Sequence, residues 1–190
     1  MKHLLFAVAI LTALNAYGQG VGIVSFTSVG ARDDKKIQDQ TGAFCSGTGY
    51  RIALYWGAAT ETDDRNLTQI GASTVFLTTI SAGTYFGGGR TITTPGSPVN
   101  GPVLAFQVRA WTAADGATYE EAFANPAAFA AKTPIFTLKT KDPNNALETV
   151  PNLYQAGGYI GFRLTPIPEP SVFALGLLAA GALLMLRRRK

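Results

Sequence analysis

Histidine and cysteine are almost missing: the 190 residues contain one of each. His3 stands inside a leading segment that reads as removable, so the rest of the chain has no imidazole. That excludes a Ser-His-Asp triad, a Cys-His pair and a histidine-ligated zinc. Cys45 has no second cysteine to pair with, so this is not a disulfide-stapled secreted scaffold. Charge is sparse as well, at 15% of residues, and the formal net charge of +4 is unevenly placed. Without Lys2, Arg187, Arg188, Arg189 and Lys190, 11 basic residues face 12 acidic ones. The positive excess belongs to the two ends, and the near-neutral interior gives no reason to expect a nucleic-acid partner.

The two ends carry apolar runs. Lys2 and His3 precede an eleven-residue stretch, 4–14, broken only by Thr12. Ala16-Tyr17-Gly18 then places small residues at the two positions a signal peptidase reads, with cleavage between Gly18 and Gln19. Residues 1–18 are therefore expected to be a secretory signal peptide, handled by Sec-type export machinery and signal peptidase. The run is too short to span a bilayer, which takes ~20 helical residues. No cysteine follows the small residues, so lipid modification there is not expected.

The other end has three parts: Pro166, Pro168 and Pro170 around Glu169, then an apolar stretch, then Arg187-Arg188-Arg189-Lys190. Proline cannot continue a helix and keeps the chain extended, so the first part is a stiff spacer. Residues 172–186 hold no polar side chain. As a helix they would rise about 22 Å, short for a full span, with arginine snorkelling and bilayer thinning closing part of the gap. The basic cluster should stay cytoplasmic, which puts the preceding domain outside. Both ends predict the same topology, with residues 171–186 as a transmembrane helix.

The motif Pro168-Glu169-Pro170, followed by the apolar stretch and the terminal Arg187, Arg188 and Arg189, resembles the PEP-CTERM sorting signal of Gram-negative bacteria. The resemblance implies that the chain is a substrate of exosortase, a membrane-embedded, cysteine protease-like transpeptidase. The resemblance further implies that exosortase cuts near the motif and passes the protein to the cell surface or extracellular matrix. The interior is also similar to the β-rich domain of PEP-CTERM proteins from Verrucomicrobia-type bacteria, through Gln19-Gly20 leading into Val24-Ser25-Phe26, Leu54-Tyr55-Trp56-Gly57, Gln107-Val108-Arg109-Ala110-Trp111 and Tyr119-Glu120-Glu121-Ala122. That likeness implies fold and location, and no activity.

Residues 19–165 are long enough for one core and read as one extracytoplasmic domain. Runs of β-branched and aromatic residues recur between Gly, Pro, Asn and Asp clusters, predicting strands over 21–28, 50–56, 73–79, 90–94, 103–111, 134–139 and 159–165. Ile52, Leu54 and Trp56 alternate with Arg51, Ala53 and Tyr55. Leu104, Phe106 and Val108 alternate with Ala105, Gln107 and Arg109, and Ile160, Phe162 and Leu164 with Tyr159, Gly161 and Arg163. Such period-two patterning, with one wet face, predicts an all-β, antiparallel sandwich of about seven strands. Gly87-Gly88-Gly89 and Pro95-Gly96-Ser97-Pro98 read as loops or tight turns. Thr118 with Glu121 fits a capping box, and Asn125-Pro126 restarts a second helical turn with Asn as cap and Pro at the first position, so a helical insert of short helices is expected within 119–131.

Chemistry-bearing groups are few. A nucleophilic Cys45 would need a base partner that the interior lacks. Asp33-Asp34, Asp63-Asp64 and Glu120-Glu121 supply carboxylates, but glycoside hydrolysis needs two of them across a cleft, and Lys35-Lys36 and Arg65 beside them suit surface pairing. Asp142-Pro143-Asn144-Asn145 and Asp63-Asp64-Asn66 offer oxygen ligands without the EF-hand spacing. Gly87-Gly88-Gly89-Arg90 lacks the Gly-Lys-Ser/Thr end of a phosphate loop, and Asn66-Leu67-Thr68 matters as a glycosylation sequon only on a eukaryotic route. No catalytic residue, metal site or cofactor is assigned. The expected role is structural or adhesive at the surface or in the matrix. The alternative is a carbohydrate-binding module that stacks exopolysaccharide on Tyr55, Tyr85, Trp111, Tyr154 or Tyr159 if these stand on outer faces, whereas Trp56 and Trp111 otherwise read as packing residues.

Overall fold

The computed structural model of the chain describes residues 20–94 and 99–167. The expected signal peptide with Gly18 and Gln19, the expected turn at Pro95-Gly96-Ser97-Pro98, and all of the expected sorting signal 166–190 except Pro166 and Ile167 lie outside the described residues. Among the described residues no helix is long and apolar enough to cross a membrane.

The fold is mostly β and antiparallel, with little helix. Its strands are β1 (Gly20–Thr27), β2 (Gly47–Ala58), β3 (Thr68–Gln69), β4 (Thr74–Phe76), β5 (Phe86–Thr94), β6 (Val103–Thr112), β7 (Phe129–Lys132), β8 (Phe136–Lys139) and β9 (Thr165–Pro166). One helix, α1 (Tyr119–Ala124), lies between β6 and β7. The spine is the pair β2–β6, in register from Tyr50↔Thr112 to Ala58↔Leu104. β3 and β4 extend it beyond β2, β7 and β8 beyond β6, and β9 pairs with β7. A separate ribbon joins β1 to β5.

The alternating faces of β2 and β6 are both covered. Ile52, Leu54, Leu104, Phe106 and Val108 form a first core with Val24 and Phe26 of β1 and Ile92 of β5. Ala53, Tyr55 and Trp111 point the other way, into a second core with Leu67, Tyr119, Ala122, Ala128, Ala130 and Ile167. The expected wet face is thus dry along most of the spine, because α1 and the chain around Leu67 close over it. Period-two patterning sorts side chains into two faces but does not say what lies on each.

Three local expectations are corrected. The glycine triplet is not a loop: Gly87, Gly88 and Gly89 lie inside β5. The register steps from Ser25↔Gly89 to Thr27↔Phe86, so β5 carries one extra residue opposite Phe26, a β-bulge. A Cβ on Gly87 would come within 2.2 Å of the Phe26 ring, and Gly88 has φ +75°, so glycine suits both positions. Residues 159–164 form no strand. Their backbone groups bond instead to the loop at 34–38: Gly161 N–H donates to the Asp34 carbonyl (3.1 Å), Gln38 N–H to Phe162 (2.9 Å) and Leu164 N–H to Gln38 (2.9 Å). Gly161 lies so close to this loop that a Cβ would meet the Lys36 carbonyl at 2.4 Å. Finally, Asn125-Pro126 restarts no helix, and β7 begins at Phe129 instead. The Asn125 side chain accepts from Ala127 N–H (3.1 Å), which spends the cap on a turn.

Candidate functional site

A cleft of about 510 Å³ opens over the second core, between α1, the turn at Asp64–Asn66 and the paired residues Arg109 of β6 and Lys132 of β7. Its wall includes Asp64, Arg65, Leu67, Arg109, Tyr119, Glu120, Phe123 and Lys132. The predicted capping box builds one side. Thr118 Oγ1 accepts from Glu121 N–H (3.2 Å), and the Glu121 carboxylate accepts from Thr118 N–H (3.3 Å) and Ala117 N–H (2.7 Å). With its first turn so fixed, α1 buries Tyr119 against Trp111, edge to face at 6.2 Å, and carries Glu120 and Phe123 on the cleft side. Across from it, Asp63 caps the short 3-10 turn by accepting from Arg65 N–H (3.0 Å).

The floor is Arg109, from the middle of β6, with only 7% of its side chain exposed. All three nitrogens of its guanidinium donate. Nε donates to Gln107 Oε1 (2.8 Å), Nη1 to Glu120 Oε1 (2.9 Å) and Nη2 to the Asp64 carbonyl. It also lies over the Tyr55 ring, 3.8 Å from the centroid, with Tyr119 at 5.2 Å. Gln107 donates onward to the Thr133 carbonyl (3.0 Å), and the Tyr55 hydroxyl donates to Glu120 Oε2 (2.9 Å). Burial, reinforced by the bond to Glu120, pushes the Tyr55 hydroxyl well above its ordinary pKa. A buried charge is tolerated only with such partners.

At the rim, Lys132 pairs with Asp64 and Arg65 with Asp63. Partial burial lowers the Lys132 pKa against the pull of Asp63. The side-chain bond from Arg65, then that from the Arg65 backbone, holds the Asp63 carboxyl down at about 2. Asp64 and Glu120, from two of the acidic pairs in the sequence, thus line one cleft. Each faces a cation, Glu120 the Arg109 guanidinium and Asp64 the Lys132 ammonium.

Other candidates fall elsewhere. Cys45 is fully buried in the first core, and burial, then the nearby Asp39 charge, pushes its thiol up to about 12. We expect maleimide at pH 8 to label the native chain at least ~100-fold more slowly than the unfolded chain. Comparable rates would place the thiol outside the core. Asp33 pairs with Lys36 at 2.8 Å, as a surface ion pair. Asp142 and Glu148 are occupied by local bonds from Asn144 N–H, Asp142 N–H and Lys139. Among the described residues no group of three His, Cys, Asp or Glu side chains is placed to hold a metal ion.

The proposed aromatic platforms are corrected. Tyr55, Tyr85, Trp111 and Tyr159 are buried, and Tyr154 is half-buried. Trp111 is a packing residue, and Trp56 packs partly buried against the first core. The exposed aromatic at the cleft is Phe123, which drew no attention in the sequence. One available signal was a polar pair, Gln107 and Arg109, inside the otherwise apolar strand 103–112. Such a pair must be matched by partners folded over it. Compared with known protein families, the chain matches no family model, and no curated protein or solved structure matches it significantly either.

Proposed function

We propose that this chain is an exported, exosortase-sorted protein of the cell surface or extracellular matrix, with a structural or adhesive role and no catalytic activity. The observation that carries the reading is the three-part order of Pro168-Glu169-Pro170, an apolar stretch and Arg187-Arg188-Arg189-Lys190. A signal segment ending at Gly18–Gln19 agrees with the same topology. Burial of the sole interior thiol and the pairing of the cleft carboxylates support a non-catalytic role. The β1–β5 ribbon shares a core with the β2–β6 sheet, and we read the pair as an antiparallel β-sandwich with a short helical insert.

The test is a truncation, and its start matters. Ile167 is buried in the second core, and its N–H donates to the Ala128 carbonyl (3.2 Å). Pro166 belongs to β9. A deletion from residue 166 would strip both and cost the domain about 2 kcal/mol from the isoleucine alone. Removing 168–190 leaves the packed residues intact. In the native host, the chain ending at Ile167 should be released from the envelope with an unchanged melting temperature, while the full chain is retained. Identical partitioning of the two would end the sorting proposal.

A further inference from the structure

We propose that the cleft beneath α1 binds a neutral sugar of a polysaccharide chain, with a pyranose ring stacked on Phe123 and its hydroxyls held by Glu120, Asp64, Lys132 and Arg65. This gives the adhesive role above a ligand, and it rests on that reading only for where the ligand is met.

The aromatic wall is preorganised. The Phe123 ring is stacked on Tyr119, with centroids 5.7 Å apart and planes 21° apart. One face is therefore backed by a buried ring, yet Phe123 is still 50% exposed. Tyr119 is pinned in turn by Trp111 and the capped first turn of α1. An open aromatic face on a fixed element loses little conformational entropy when a ligand covers it. A pyranose presents a face of C–H groups that such a ring can take, and a rim of hydroxyls. The cleft volume, about 510 Å³, lies within the ~300–1,000 Å³ range of small-ligand sites.

The polar wall selects against charge. Each acid and base on it already has a partner: Lys132 with Asp64, Arg109 with Glu120, Arg65 with Asp63. Arg65, Arg109 and Lys132 are balanced by Asp63, Asp64 and Glu120, so an anionic or cationic ligand meets a like charge beside every opposite one and gains no net attraction. A neutral polyol needs none, because a carboxylate retains free lone pairs and an ammonium free N–H donors after one bond. Glu120, at 58% side-chain exposure, and Lys132, at 38%, keep such capacity toward the cleft.

The experiment uses the full chain in a detergent without sugar headgroups, and affinity electrophoresis through gels containing soluble β-glucan, mannan, xylan or polygalacturonate. At least one neutral polysaccharide should retard the protein, and polygalacturonate should not. Phe123→Ala should weaken that retardation about tenfold while lowering the melting temperature by only a few degrees, and Phe123→Trp should preserve it. No retardation by any neutral polymer, retardation by polygalacturonate alone, or full binding by Phe123→Ala would overturn the proposal. None of these outcomes bears on sorting, which the truncation tests separately.

Discussion

Trp111→Ala is expected to destabilise the domain by about 3–5 kcal/mol, the range for deleting a fully buried large aromatic side chain. Trp111 has no exposed surface. Its Nε1–H donates to the Gly116 carbonyl (2.9 Å), and Tyr119 packs on it edge to face at 6.2 Å. Ala130 stands opposite it on β7, and Ala128 and Ile167 share its core. These neighbours are mostly small, so they cannot move in to refill the void, and the cost should sit high in the range. For a domain of this size the melting temperature should fall by roughly 10 °C. Trp111→Phe retains a ring and loses mainly the indole bond, so it should cost clearly less. Denaturant unfolding of the three proteins would measure both effects, and a loss below ~1 kcal/mol for Trp111→Ala would mean that the second core is not packed as described.

Arg109→Met should cost about 2–4 kcal/mol, and the source of that loss can be separated. Glu120 is 58% exposed, so water can replace the guanidinium there, and the ion pair itself is a small part of the loss. The larger part comes from Gln107 Oε1 and the Asp64 carbonyl, which lose their donor, and from the cation stacked on Tyr55. Glu120→Gln is therefore expected to cost under ~1 kcal/mol. Arg109→Lys should fail to restore stability, because an ammonium cannot reach three acceptors in one plane while lying flat on a ring. If Glu120→Gln destabilised as strongly as Arg109→Met, the ion pair would dominate instead. The arginine is a brace: it ties β6 to α1 through Glu120 and to the capped turn through Asp64, and so holds the two sides of the cleft at their spacing.

These variants also show how much was readable in one dimension. β2 and β6 were legible, because alternation over 50–56 and 103–111 survives in a strand pair that stays in register for its whole length. The α1 cap was legible too, since Thr118 and Glu121 satisfy each other locally. The segment at 159–165 has the same alternation, yet its backbone bonds to a loop. Gly161 lets it approach closely enough for that, and nothing in its period announces a partner. The triplet at 87–89 is ambiguous for a related reason: glycine marks both turns and places where a ring crosses a strand, here Phe26 over Gly87.

What residues dictate through bonds to near neighbours, or through charge and hydropathy along a run, belonged to the order of amino acids alone. Antiparallel β character, the capped turn, the greasy and basic extremities and the scarcity of catalytic groups are of this kind. The covering of the second face, the burial of Arg109 and four of the five named aromatics, and the meeting of Phe123 with Asp64 and Lys132 were settled only by folding. They depend on residues tens of positions apart being brought within a few ångströms, and on which of several apolar surfaces buries the other. That choice is made by packing and by the need to satisfy a buried guanidinium, and neither leaves a period in the sequence.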